Sequence, residues 1–361
     1  MFPAFGGDCT LITLEDIDYR ILIDGGFKET FRNCLASRLR SLGAAGKGID
    51  LLVVTHVDND HIMGIIELFR ELDNQKIQIE IRQIWYNSYR HLFSGKKQRI
   101  SIAKEIRVSD EVGKMKPFLG EGCLRKDIGY SQGETLAKLL SGTREPIWNY
   151  SFKGKAVSYR NMDTIVELRP PYLSALMLNP SDKELCALEN KWNIFRRKKY
   201  LPMENGDSLM YEEAFEHFLS YSDSSVTNQS SIAFLLRYTD KAGKNYQLLF
   251  LGDAHAELCL KRLKTWENVR FDCLKLPHHG SKMSITKDIV ESLNANYVLF
   301  STDGQKYGHP DWEVVSAVAG SEKSQTMVFN YDSCTVLERL KKEYPEKKVI
   351  TGKNGYCKLV I

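Results

Sequence analysis

Two rhythms of apolar and polar positions alternate along the chain. Residues 9–14 and 19–23 are rich in β-forming side chains, and the second run ends in the turn signal Asp24-Gly25-Gly26. Both predict strands. Phe31, Cys34, Leu35, Leu39 and Leu42 then recur at helical spacing over 31–42. The run Ile49-Asp50-Leu51-Leu52-Val53-Val54-Thr55 lies between glycines and a polar cluster, which predicts a strand buried on both faces. Helical spacing returns over 62–72, and 77–86 predicts a further strand. Strand, helix, strand, helix, strand indicates a layered α/β unit.

Between residues 87 and 205 the rhythm changes. Helix-like and polar stretches alternate, Pro170, Pro171 and Pro180 interrupt, and basic clusters occur at Lys96-Lys97-Gln98-Arg99 and Arg196-Arg197-Lys198-Lys199. This segment reads as a mixed α/β insertion or cap, with weak strands near 155–159 and 164–169. From Ser230 the strand rhythm resumes at 232–238, 246–251, 273–276, 297–300 and 326–329. The two ends therefore read as halves of one unit spanning 1–361, with 87–205 set into it.

Composition narrows the class. A length of 361 residues fits about two domains or one large α/β unit at ~150 residues each. Hydrophobic residues at 43% and charged residues at 27% exclude a disordered or fibrous chain. No run approaches the roughly 18 apolar residues of a membrane span, and no basic-then-apolar leader is visible, so a cytoplasmic location without membrane contact is expected. A net charge of +4, from 50 bases against 46 acids, does not by itself predict a nucleic-acid binder. The eight cysteines form no CxxC pair and are expected as free, buried thiols.

The chemistry concentrates in Thr55-His56-Val57-Asp58-Asn59-Asp60-His61. Four potential metal ligands fall directly after a buried strand and at the start of a helix, where an α/β fold opens its crevice. His56 and Asp58 are two apart, so an extended loop points both the same way. Asp60 and His61 come at the turn into the helix, in reach of a second ion. Imidazole with carboxylate suits Zn²⁺, Mn²⁺ or Fe. Further on, Asp253 and His278-His279 each follow an apolar strand, and His309 sits in a glycine- and proline-bounded loop.

His56 to His61 resembles the His-x-His-x-Asp-His signature of the metallo-β-lactamase fold superfamily, with Asp58 in the second histidine position. That exchange is similar to the subgroup containing the hydrolase domain of the DNA-uptake competence channel and the phosphorylcholine esterase. Phe5-Gly6-Gly7-Asp8-Cys9, Ile21-Leu22-Ile23-Asp24-Gly25-Gly26, Asn228-Gln229-Ser230-Ser231, Leu251-Gly252-Asp253, Leu276-Pro277-His278-His279-Gly280-Ser281 and Tyr307-Gly308-His309-Pro310 extend the likeness in order.

The resemblance implies a four-layer αββα sandwich and a hydrolase with two divalent ions, Zn or Mn. It implies His56, Asp58, Asp60, His61, Asp253 and His278 as ligands, with Asp253 bridging. His279 is expected as a further ligand or as a transition-state donor, and Asp60, His279 and His309 as the catalytic side chains. Lys275, Ser281 and Asn228 are expected to face substrate. The usual third-motif histidine has no counterpart; Asn228 or Ser230 lies near its position. The resulting oxygen-rich set lets Mn²⁺ compete with Zn²⁺.

Two such ions about 3.5–4 Å apart can hold a hydroxide ionised near neutral pH. The expected reaction is phosphodiester hydrolysis, with nucleic acid as substrate; Arg196–Lys199 beside Trp192, Phe195 and Tyr200 reads either as a solvated charged face or as a stacking and phosphate-binding surface. The alternatives are a hydrolase of a small phosphodiester or other ester, and a non-catalytic binding or regulatory subunit.

Overall fold

A computed structural model describes residues 1–92, 128–160, 164–200, 225–263, 269–305, 308–323 and 325–361. The basic cluster Lys96–Arg99, His217, Tyr307 and the side chains of residues 197–200 lie outside the described residues.

A first sheet runs in the order β1 (Thr10–Leu14), β2 (Tyr19–Ile23), β3 (Leu51–Val53), β4 (Ile84–Trp85). The pair β1–β2 is antiparallel, and β2–β3 and β3–β4 are parallel. A second, eight-stranded sheet contains β5 (Ile165–Arg169), β6 (Leu173–Asn179), β7 (Ala233–Thr239), β8 (Asn245–Phe250), β9 (Arg270–Lys275), β10 (Asn294–Phe300), β11 (Thr326–Phe329) and β12 (Val349–Thr351), in the order β12 to β5. Its strands from β8 to β12 are parallel, and those from β5 to β8 pair antiparallel.

Alternation of side chains sorts these strands into layers. In β2 and β3, Ile21, Ile23, Leu51 and Val53 point toward the second sheet, where they pack with Phe234, Leu236, Leu248, Phe250 and Val328. The intervening Leu22 and Leu52 point the other way. There they meet α2 (Ala36–Ala44), α3 (Asn59–Asp73), α4 (Ile128–Leu140) and α5 (Asp182–Tyr200), through Leu39, Ile62, Ile66, Leu136 and Leu188. A one-turn helix, α1 (Lys28–Thr30), and a wider turn at Phe31–Leu35 lead into α2.

On the far side, Leu235, Leu249, Phe300 and Met327 cover the second sheet's outer face. They lie under α7 (Ala256–Lys261), α8 (Lys287–Ser292), α9 (Trp312–Gly320) and α10 (Leu337–Glu343). The short α6 (Val226–Gln229) precedes β7. Helix, sheet, sheet, helix: the expected αββα sandwich is the fold, with three apolar interfaces of period-2 origin.

Two local expectations change. The strand expected over 77–86 narrows to Ile84–Trp85, because the chain before it is paired through an isolated bridge, Ile81 with Ile49 ahead of β3, and not through a continuous ladder. Residues 155–159 form no strand, and Tyr159 instead donates its amide to Pro180 O. Residues 87–205 supply β5 and β6 of the second sheet and α4 and α5 of the outer layer. Of the cysteines, Cys34 is half-buried and Cys186 exposed, and the other described ones are buried. Among the described residues no helix is long and apolar enough to cross a membrane.

Candidate metal centre

The carboxyl ends of β2, β3, β8, β9 and β10 open onto one crevice, the place where parallel strands leave backbone and side chains free to converge. β2 is followed by Asp24, whose φ of +56° turns the chain sharply. Gly25 then lies against Gly64 of α3 so closely that a Cβ on Gly64 would stand 1.9 Å from Gly25 O. The contact brings Asp24 onto His61.

Asp24 is fully buried and its carboxylate is saturated. Oδ1 accepts the Thr55 amide at 2.8 Å, and Oδ2 accepts Thr55 Oγ1 at 2.7 Å and His61 Nδ1 at 2.8 Å. A carboxylate on Nδ1 sets the imidazole tautomer and leaves the Nε2 lone pair facing the crevice. Thr55 passes the order on. Its one hydroxyl proton goes to Asp24, so toward His56 Nδ1, 3.0 Å away, the oxygen accepts. His56 Nε2 therefore also presents a lone pair. Burial and then the His61 charge push the His56 pKa down to about 4. Burial acts the same way on His61, but Asp253 and Asp24 outweigh it and hold that imidazole well above its ordinary value, so in the metal-free chain Nε2 also carries a proton, which a metal ion displaces on binding.

Asp253, just past β8, is the hub. Its Oδ2 lies 3.4 Å from His61 Nε2, 3.8 Å from His56 Nε2, 3.8 Å from His279 Nε2 and 4.0 Å from His278 Nε2. Burial raises its pKa, but the imidazoles of His61, His279 and His278 overcome that and hold it well below the usual carboxylate range.

After β9, Pro277–Gly280 forms a tight turn with His278 at φ +46° and His279 at φ +57°, conformations that cost an L-residue of order 1–3 kcal/mol. The strain aims the pair. His279 Nδ1 donates to Ser301 O at 3.0 Å, leaving Nε2 3.8 Å from Asp60 Oδ2. His278 lies beside Ser284 Oγ at 3.1 Å and Asn228 Nδ2 at 3.5 Å.

Among the described residues three groups have ligand atoms within 4.8 Å of one another: His56–His61–Asp253, Asp60–His61–His279 and, on the far side of His61, Asp8–Asp24–His61. Asp58 joins the first, its Oδ2 3.8 Å from His56 Nε2. The buried Nε2 atoms of His56, His61 and His279 and Oδ1 of Asp253 have no hydrogen-bond partner. Buried polar atoms are otherwise nearly always paired, because an unpaired one costs about 1–3 kcal/mol. Ligands ~2.1 Å from a tetrahedral Zn²⁺ stand about 3.4 Å apart. The separations of 3.4–3.8 Å match that edge, so the donor set fits divalent metal.

The other expected residues spread around this core. His309 is on the rim, its ring 5.2 Å from that of His278 and its Nδ1 3.4 Å from Asp311 Oδ2. Asn228 is buried in α6, with Oδ1 unpartnered. Ser281 is buried, its Oγ accepting the Met283 amide at 3.3 Å within the turn. Lys275 is buried too, donating to Leu276 O at 2.9 Å and pairing with Asp8 at 2.8 Å.

The aromatic side chains expected as a stacking surface are placed differently. Trp192 and Phe195 are buried in the α-helical core, packed on Tyr130, and Arg196 lies over Tyr89. Helical spacing, not ligand recognition, accounts for those aromatics. The sequence reading gave Asp24, Thr55, Asp8 and Ser301 no role, although Asp24 and Asp8 stood in Asp-Gly-Gly and Gly-Gly-Asp turns.

Residues 3–102 match the family model of the metallo-beta-lactamase superfamily. That match takes in the Asp24 turn and His56–His61, and the αββα layering is the fold of that superfamily. No curated protein matches the chain. The match, with His and Asp clusters able to hold metal, suggests a metal-dependent hydrolase.

Proposed function

We propose that this chain is a divalent-metal-dependent phosphodiesterase, with nucleic acid as the first substrate class. One observation carries the reading: unpartnered, buried ligand atoms of His56, His61, His279 and Asp253 face one another in one crevice.

His56, Asp58 and Asp253 would hold one ion and Asp60, His61 and His279 the other, Asp253 being within 4 Å of residues from both sets. His279 thus takes the ligand position expected of His278. Ions bound there supply Lewis acidity and lower the pKa of water toward 7. Asp60 orients the attacking water, accepting a hydrogen bond from it. His278 and Asn228 line the approach beside the first cluster, and His309 on the rim contacts the departing oxygen. Carboxylates from Asp58, Asp60 and Asp253 make the set oxygen-rich, which admits Mn²⁺ beside Zn²⁺.

Phosphodiester chemistry is supported by the His-x-Asp-x-Asp-His pattern, which resembles the subgroup acting on such bonds. A small phosphodiester is the second reading, favoured by the burial of Trp192 and Phe195, which leaves those rings unable to stack on bases.

The test is cleavage of labelled single- and double-stranded DNA and RNA, and of a small nitrophenyl phosphodiester, with Mn²⁺ or Zn²⁺, beside Asp60→Asn. Polymer cleavage lost in the variant supports the nuclease reading. Cleavage of the small ester alone moves the assignment to the second reading, and no cleavage by metal-loaded protein refutes both.

A further inference from the structure

Beneath the metal centre lies a buried ion pair that the proposed hydrolysis does not use. Asp8 and Lys275 are 5% and 3% exposed, and their Oδ2 and Nζ are 2.8 Å apart. Such a pair is weak evidence for stability, because desolvating both charges offsets most of their attraction. Its placement is more informative. The second oxygen, Asp8 Oδ1, is buried, makes no hydrogen bond, and stands 3.4 Å from His279 Nδ1, whose proton goes to Ser301 O.

The loop that carries Asp8 also grips the other partner of His279. Asp8 N donates to Asp60 O at 3.2 Å, and a Cβ on Gly7 would meet Asp60 O at 2.1 Å. Ser301 Oγ in turn donates to Gly7 O at 2.9 Å. One short loop therefore touches Asp60, Ser301 and His279 together, and Lys275 anchors it to β9, the strand that leads into His279.

We infer that Asp8, neutralised by Lys275, is a positioning residue for His279. Its carboxylate backs the Nδ1–H and keeps the Nε2 lone pair on the cluster with Asp60. This rests on the metal-centre reading above, and it places Lys275 behind the site instead of on the substrate. A carboxylate behind a ligating imidazole typically changes metal affinity 10–100-fold when removed.

The test compares Asp8→Asn and the double variant Asp8→Asn/Lys275→Met with wild type, titrating metal-stripped protein with Zn²⁺ and Mn²⁺ and measuring thermal midpoints. In Asp8→Asn the amide oxygen can keep the Lys275 contact, while its nitrogen opposes the His279 N–H. Zn²⁺ affinity at one of the two sites is expected to fall 10–100-fold. The double variant removes both charges, so its midpoint should return toward wild type while the weak Zn²⁺ affinity persists.

Recovery of affinity together with the midpoint would mean that the pair is only structural and would overturn the inference. Wild-type affinity in Asp8→Asn would overturn it as well, whether or not the double variant folds. Wild-type protein that takes up neither ion would instead defeat the metal-centre reading itself.

Discussion

Replacing Asp24 by asparagine removes one acceptor atom from the support of the metal centre. The amide oxygen can still receive the Thr55 amide, but the nitrogen that replaces Oδ2 cannot receive Thr55 Oγ1 or His61 Nδ1. Thr55 can rotate its hydroxyl. His61 has no such freedom, being fully buried between Asp24 and Asp253. Its proton either stays on Nδ1 without a partner or moves to Nε2, where it occupies the lone pair a metal needs.

Leaving one buried donor unpaired costs about 1–3 kcal/mol, and a lost bond to a charged group lies in the same range. Urea unfolding of metal-free Asp24→Asn should therefore show a loss of roughly 2–6 kcal/mol, taking the two terms together. Metal affinity should fall by a further 10–100-fold, about 1.4–2.8 kcal/mol. Calorimetric titration of folded variant with Zn²⁺ reads the second quantity separately from the first. An Asp24→Asn protein that folds and binds Zn²⁺ as tightly as wild type would refute the argument that Asp24 sets the His61 tautomer.

Three further outcomes follow from the same geometry. Gly64→Ala should destabilise the fold by more than about 2 kcal/mol, since the clash is with Gly25 backbone and cannot be relieved by a rotamer; a melting curve checks it. Trp192→Ala should cost about 3–5 kcal/mol in unfolding yet leave single-stranded DNA affinity unchanged in a folded sample, because the ring is core. Burial pushes His91 down to about 3, below its unfolded value of 6.5, so the unfolded chain takes up the proton first on acidification. That stability is complete above pH 6.5 and is lost at about 1.4 kcal/mol per pH unit toward pH 3. His91→Gln should flatten that part of the acid limb of stability against pH, and an unchanged limb would show that His91 protonates in place.

Strands and their two faces were legible because alternation is a local property. The run from Ile49 to Thr55 read as buried on both sides, and Leu51, Leu52 and Val53 are fully buried between the second sheet and the helical layer. The seven-residue strand β6 is not evident from the sequence, although Leu173 to Leu178 is apolar except for Ser174, because its neighbourhood of prolines and turns suggests an insertion. Only pairing with β7 made it part of the sheet.

At the site, the sequence by itself determined the chemistry on offer: imidazoles and carboxylates after strand ends, held in tight turns. Which atoms meet was decided by the tertiary structure. His61 and Asp24 are 37 residues apart and His279 and Ser301 are 22 apart, so no local period records their contact. The choice of His279 over His278 at Asp60 depends on backbone angles that two adjacent histidines do not encode. Lys275 reads as a cation for substrate because it lies beside the histidine pair in the chain; its burial against Asp8 comes only from docking the loop that precedes β1 on β9. Residue type is carried by the chain, whereas direction, burial and tautomer arise when distant segments pack.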